Sequence, residues 1–214
     1  MKSGFVSLIG RPNAGKSTLI NQFIGTKIAI VSNKPQTTRT RILGVQHGTR
    51  ERPGQAVFVD TPGIHRPLHR MNVRMVDQAV EAITQMDVVV MVVDAAASSG
   101  AGDRFVLDLI TRASGPVIVA LNKIDLVSKP RLLPMIDRYQ KQGDFVGLVP
   151  ISALSGDGIS VLEGLIWEYL PEGTPLYPDD YLTDQPERRI VAEMIREQVL
   201  HQTEAELPFS TAVV

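Results

Sequence analysis

Residues Gly10-Arg11-Pro12-Asn13-Ala14-Gly15-Lys16-Ser17 put two glycines, a lysine and a hydroxyl into one short loop, after a β-branched run and at the start of a helical pattern. Backbone N–H groups of such a loop point inward, and the helix N-terminus adds positive potential, so the pattern suits polyphosphate oxygens. In this strand–loop–helix setting it is the P-loop pattern. The expected phosphate-binding set is Gly10, Arg11, Pro12, Asn13, Ala14, Gly15, Lys16, Ser17 and Thr18. Lys16 reaches the β- and γ-phosphates and Ser17 ligates Mg²⁺.

Asp60-Thr61-Pro62-Gly63 ends another apolar run, where open α/β sheets place their ligands. Asp60 is expected to hold Mg²⁺ through water, and the Gly63 N–H to contact the γ-phosphate. Alone the spacing is weak, because Asp and Gly are common turn formers. The P-loop beside it gives it force.

Asn122-Lys123-Ile124-Asp125 follows a third run. The Asp125 carboxylate only accepts hydrogen bonds and suits two adjacent donors. Guanine offers them in its ring N–H and exocyclic amine; adenine would leave the carboxylate desolvated and unpaired, a discrimination of roughly 10⁴–10⁵. The expected guanine set is Asn122, Lys123, Asp125 and the later Ser152-Ala153-Leu154, whose Ala153 N–H meets the base oxygen. The nucleotide is therefore GTP rather than ATP.

Two segments read as switches. Gln36-Thr37-Thr38-Arg39 is expected to close over Mg²⁺ and the γ-phosphate and to release after hydrolysis, with Thr38 preferred over Thr37 as ligand. Asp60, Thr61, Pro62, Gly63 and Ile64 form the second. Ile64 stands where many switch GTPases carry a water-positioning Gln, and an isoleucine cannot orient water. His65 and His69, beside Arg66 and Arg70, read as a solvated basic loop or as a switch that contacts RNA. No His/Asp/Glu grouping suggests a metal site made by protein alone.

These residues need a scaffold. Runs at 5–9, 57–60, 88–94, 117–122 and 148–152 read as buried parallel strands, apolar on both faces. Helical patterns at 16–24, 73–86, 102–113, 131–142 and 159–170 alternate with them, which predicts a parallel sheet covered on both sides. Residues 41–48 and 56–60 are too close for a crossover helix and predict an antiparallel pair at the sheet edge. The fold class is α/β: a P-loop GTPase fold with a mostly parallel six-stranded sheet, one antiparallel edge strand and helices on both faces.

The predicted division is a GTPase domain over 1–172, a Pro- and Asp-rich linker over 173–186 and a further unit over 187–214. The last opens with a helical stripe of Ile190, Val191, Met194, Ile195 and Val199 and continues into a strand-like Ser210-Thr211-Ala212-Val213-Val214. A net charge of −1 gives no overall basic field, so any RNA contact must be local. Cysteine is absent, which excludes disulfides and thiolate metal sites. No apolar run is long enough to span a bilayer and the N-terminus enters a strand directly, so a cytoplasmic location is expected.

The order of these elements resembles the translation-factor-related GTPases. The segments KPQTTRTRI, DTPGIHRP and the stretch from PERRIVAEMIREQ to the C-terminus resemble the Era family of bacterial ribosome-assembly GTPases. That resemblance covers the whole chain. It implies GTP hydrolysis, Mg²⁺, a role in 16S rRNA processing and 30S subunit assembly, and a KH domain that begins after the linker. It also implies peripheral association with the cytoplasmic face of the inner membrane. A KH domain grips RNA with a G-x-x-G loop, and no glycine follows Gly173, so only the start of that α+β unit is expected here. GTPases with a similar PNAGKS loop use K⁺. The resemblance thus implies K⁺ held by Asn13, with carbonyls of residues 27–38 completing its shell. Two further readings fit the residues. One is a related GTPase of large-subunit assembly or tRNA modification; the other is a nucleotide-dependent binding module with negligible hydrolysis, in which Ile64 marks a dead site.

Overall fold

The computed structural model describes residues 1–32, 38, 41–60, 83–98, 100–203 and 213, and the elements below are numbered within them. Six strands form one sheet: β1 (Lys2–Ile9), β2 (Ile42–His47), β3 (Gly54–Asp60), β4 (Val88–Asp94), β5 (Val117–Asn122) and β6 (Gly147–Pro150). Their order is β2-β3-β1-β4-β5-β6. Only the β2–β3 pair is antiparallel, and it lies at the edge as the short connection requires. Helices α1 (Lys16–Ile24), α2 (Ala101–Ile110), α3 (Lys129–Gln140), α4 (Ile159–Tyr169) and α5 (Glu187–Gln202) complete the described elements. The predicted helix over 73–86 and strand over 210–214 fall mostly outside the described residues.

The central strands explain the layering. Along β4, Val88, Val90 and Val92 join Leu19, Ile20 and Phe23 of α1 and Leu162 and Ile166 of α4 in one core. The alternate residues Val89, Met91 and Val93 join Val106, Leu109 and Ile110 of α2 on the other face. A strand that buries both faces must be apolar throughout, which is why this run was legible. Phe23 and Phe58 stack at 4.4 Å between centroids and fix α1 over β3.

The sheet starts from β1 and grows both ways, with β3 on one side and β4 on the other. The carboxyl ends of β1, β3 and β5 therefore share one rim at the point where the strand order reverses, the usual ligand crevice of such sheets.

The Pro-rich segment 175–186 is bound along the free edge of β2. The Val45 N–H donates to the Leu182 carbonyl at 2.8 Å, and the Thr183 hydroxyl donates to the Leu43 carbonyl at 2.6 Å. The Asp184 carboxylate accepts from the Leu43 N–H at 3.1 Å, and His47 Nε2–H donates to the Tyr181 carbonyl at 2.9 Å. Gln55 anchors the other end: its Oε1 accepts from the N–H groups of Leu176 at 2.7 Å and Tyr177 at 2.9 Å, and its Nε2 donates to the Tyr177 carbonyl at 2.6 Å. Sequence placed Gln55 in the turn before β3; the structure places it inside that strand, 2% exposed. This strap covers an edge that would otherwise offer unpaired backbone groups.

The apolar stripe expected on α5 is not the face it buries. Arg196, Glu197 and Leu200 are buried, while Val191 and Ile195 remain 55% and 50% exposed. The Glu197 carboxylate decides the orientation, because it bonds Lys27 and accepts from the Val31 N–H at 2.9 Å.

Replacing Gln55 by Ala leaves three backbone groups of the strap and their partner side without bonds. Gln55→Ala is expected to lower the unfolding free energy by about 2–3 kcal/mol and to open residues 177–184 to protease. Urea unfolding and limited proteolysis check this; an unchanged midpoint and cleavage pattern would show that Gln55 does not hold the strap.

Candidate functional site

The loop after β1 takes its shape from two left-handed residues, Asn13 at φ 62° and Gly15 at φ 97°. A Cβ on Gly15 would lie 2.2 Å from Asn122 Nδ2, so both the angle and the space demand glycine there. Lys16 opens α1 and is buried, with Nζ donating to the carbonyls of Gly10 and Arg11 at 3.2 Å each. Burial pushes its pKa below the usual lysine range, while the nearby Asp60 carboxylate pulls it up. This lysine is thus folded back on its own loop and poorly solvated, with the Asp60 carboxylate as its nearby charge.

Asp60 ends β3 and is fully buried. Its Oδ2 accepts from the Ser17 hydroxyl at 2.8 Å and from the Thr38 hydroxyl at 3.4 Å, and the two hydroxyl oxygens lie 2.9 Å apart. Its Oδ1 finds no partner among the described residues. Burial raises the Asp60 pKa, against the charge of Lys16 and the bonds from Ser17 and Thr38. A buried carboxylate with one orphaned oxygen beside two hydroxyls is a hard-oxygen donor set that fits Mg²⁺. Thr38, expected over Thr37 as ligand, lies beside Ser17 and Asp60, and Thr37 lies outside the described residues.

Asn122 ends β5 and joins two loops. Its Nδ2 donates to the Ala14 carbonyl of the P-loop at 2.8 Å, and its Oδ1 accepts from the Ala153 N–H at 2.9 Å. Lys123 follows in a left-handed conformation, φ 68°, and its ammonium meets Asp94 at 2.6 Å. The short 3₁₀ turn Ile124–Leu126 then presents Asp125, whose exposed carboxylate has no partner among the described residues. Ser152 is buried, with Oγ accepting from the Ser155 N–H at 3.2 Å, and Leu154 points to solvent. Pro12 and Thr18 are partly exposed and flank the loop.

The structure thus brings together the P-loop, Ser17, Thr38, Asp60, Asn122, Lys123, Asp125 and Ala153 along one rim. Gln36, Thr37, Arg39, Thr61, Pro62, Gly63 and Ile64 lie outside the described residues, as do His65, Arg66, His69 and Arg70. Among the described residues no grouping of His, Asp or Glu could hold a metal by itself, and no helix is long and apolar enough to cross a membrane.

Sequence reasoning missed several residues that brace the site. Asn21 Oδ1 accepts from the N–H groups of Ile28 and Ala29 at 2.9 Å, and its Nδ2 donates to the Ala29 carbonyl at 2.7 Å. Glu197 of α5 holds the same loop from the opposite side. Asp103 of α2 accepts from Arg11 of the P-loop at 2.9 Å and from the Gly100 N–H at 3.1 Å. Each is a polar residue inside a helical pattern, and only the distant partner reveals its role.

The family model for the 50S ribosome-binding GTPase matches residues 5–123. "GTPase Era" of Geotalea uraniireducens (strain Rf4) is 50% identical over 214 residues, all of this chain and 71% of that relative. "GTPase Era" of Alkaliphilus oremlandii (strain OhILAs) is 49% identical over 212 residues, 99% of this chain and 71% of that relative. A crystal structure of Era with MgGDPNP and nucleotides 1506–1542 of 16S ribosomal RNA superposes with TM-score 0.91 at 40% identity, over 98% of this chain and 70% of that one.

Asn122→Ala removes two buried bonds and orphans the Ala14 carbonyl and the Ala153 N–H. It is expected to lower the stability of the nucleotide-free protein by about 2 kcal/mol and to weaken GDP binding more than about tenfold, or 1.4 kcal/mol. Urea unfolding and calorimetry check both. Wild-type values for either would mean that Asn122 does not hold the two loops together.

Proposed function

The chain belongs to the Era GTPase family and is a GTPase; from that premise we propose that it is a GTP-driven switch acting in 16S rRNA processing and 30S subunit assembly. The observation that carries the reading is the buried cluster of Lys16, Ser17, Thr38 and Asp60 under the P-loop. It holds a buried lysine opposite a buried carboxylate, one oxygen of which lacks a partner among the described residues. A nucleoside triphosphate with Mg²⁺ supplies a partner to each.

In this reading Gly10 to Thr18 cradle the phosphates and Lys16 neutralises the β- and γ-oxygens. Ser17, Thr38 and Asp60 would hold Mg²⁺, which when bound offsets charge on the phosphates. Thr38 brings the segment of Gln36, Thr37 and Arg39 onto the nucleotide, and Gly63 does the same for Thr61, Pro62 and Ile64. Loss of the γ-phosphate releases both segments. Asp125 takes the two guanine donors, Ala153 N–H takes the base oxygen, and Lys123 and Leu154 flank the ring. Residues 1–172 act as the GTPase domain, 173–186 as its strap, and 187–214 as the start of the RNA-binding unit.

The family model's description names the 50S subunit, and large-subunit assembly is therefore the second reading. The small-subunit reading is favoured because the relatives called Era match through the strap and α5, beyond the GTPase domain. The Era structure holding 16S rRNA nucleotides also supports it. Cytoplasmic location, with peripheral contact to the inner membrane, is proposed from the family alone.

Wild-type protein is expected to bind GTP at least 10³-fold more tightly than ATP, since roughly 10⁴–10⁵ is available from unpaired donors and acceptors. Asp125→Asn should shift preference toward xanthine nucleotides. Calorimetric ATP binding within tenfold of GTP would overturn the guanine assignment.

Hydrolysis needs a positioned water, which Ile64 cannot supply and backbone groups of residues 27–38 would, and positive charge between the phosphates. Asn13, exposed at the loop's tip in a left-handed turn, is proposed to hold K⁺ against the phosphates. Phosphate release is expected to be faster in K⁺ than in Na⁺ at equal ionic strength. Asn13→Ala should abolish the difference, and Ile64→Ala should cost little. Equal rates in the two salts, or collapse in Ile64→Ala with binding intact, would remove the cation from the mechanism.

A further inference from the structure

Asp94 lies outside every motif named so far, yet it determines where Lys123 ends. It closes β4 in register with Asn122 of β5. Its Oδ1 accepts from the N–H groups of Ala96 at 2.9 Å and Ala97 at 3.2 Å, so its own turn fixes the carboxylate. The next N–H, of Ala95, donates to the Asn122 carbonyl at 2.8 Å. The remaining oxygen, Oδ2, accepts from Lys123 at 2.6 Å.

Lys123 is therefore held at both ends. Its left-handed backbone sets where the Cβ points, and Asp94 sets where the ammonium stops. Between the two lie four methylenes, which as an apolar stem can cover a flat ring. The two side chains keep 30% and 21% of their exposure. Desolvation of a part-buried pair offsets much of its attraction, so stability is a poor reason for this one. Its position between Asn122 and Asp125 is a better one.

We propose that Asp94 is a positioning residue for guanine recognition: it clamps the Lys123 ammonium so that the lysine stem forms a fixed wall for the base. The proposal rests on the guanine reading above. Without the clamp the ammonium is free to move into solvent or toward the phosphates, and the wall is lost while the rest of the site stands. The ligand class is guanine nucleotides, and the effect falls on binding rather than on hydrolysis.

Asp94→Asn keeps an oxygen for the Ala96 and Ala97 N–H groups and removes the charge at Lys123. It is expected to weaken GDP binding about fivefold to tenfold, through faster dissociation of a fluorescent GDP analogue. The KM for GTP should rise with kcat unchanged, and Asp94→Glu should restore most of the affinity. In a Lys123→Ala background Asp94→Asn should add less than about twofold, because the two act as one unit. Should Asp94→Asn fail to fold by urea titration, Asp94→Ser, whose hydroxyl still accepts from the Ala96 N–H, carries the same expectation. GDP affinity within twofold of wild type, or an equal loss with and without Lys123, overturns the proposal. If wild type also holds ATP as tightly as GTP, the guanine reading itself falls; if wild type still selects GTP, only the role of Asp94 does.

Discussion

Asn122 carries an amide nitrogen and a carbonyl oxygen into a buried place, and each makes a bond to backbone. One partner is the P-loop carbonyl of Ala14 and the other the N–H of Ala153, so three loops from three parts of the chain are fixed by one side chain. The constraint reaches back into the sequence. Gly15 must lack a Cβ because the Asn122 amide occupies that space. β5 must end at 122 for the amide to sit on the rim. A buried amide left half-bonded costs more than the bond itself contributes, so the three loops fall into register together.

The charges under the P-loop follow a different logic. Lys16 and Asp60 are both buried, and burial drives each toward its neutral form. In isolation this is a destabilising arrangement, softened by their mutual attraction and by the hydroxyls of Ser17 and Thr38. In the proposed function it would become favourable with phosphate oxygens and a divalent cation in place. Sites that bind tightly often store cost of this kind in the free protein. The sheet meanwhile supplies rigidity from elsewhere, through strands packed on both faces and an edge sealed by the strap.

How far this was legible in the sequence depends on the range of the interaction. β4 and β5 match the expected runs residue for residue, because a strand buried on both faces is apolar throughout. The P-loop, Asp60 and the Asn122 turn were readable because strand ends and glycine spacing are local. The antiparallel edge followed from a connection too short to cross. The strap was legible only as a linker: its prolines and aspartates signal turns, whereas its docking depends on Gln55, about 120 residues away. The helix α5 was legible from its stripe, yet its buried face was not, because hydrophobic periodicity is blind to a carboxylate that finds a backbone N–H on another loop.

Three ion pairs share a pattern around the rim. Arg11 joins the P-loop to Asp103 of α2, Lys27 joins the loop after α1 to Glu197 of α5, and Lys123 joins the base loop to Asp94 of β4. In each the cation sits on a loop and the acid on a helix or strand, and the acid is the more buried partner. Each acid also accepts from a backbone N–H: Gly100 for Asp103, Val31 for Glu197, Ala96 and Ala97 for Asp94. For Asp103 and Asp94 that N–H is local and offsets the desolvation of the carboxylate before the loop arrives, whereas Glu197 receives both its N–H and its cation from the one loop. What the cation then gains is modest in energy, but it is specific in place. Loops on a rim gain little strength from such pairs. They gain from having one position to return to, and an acid held on a helix or at a strand end provides that position.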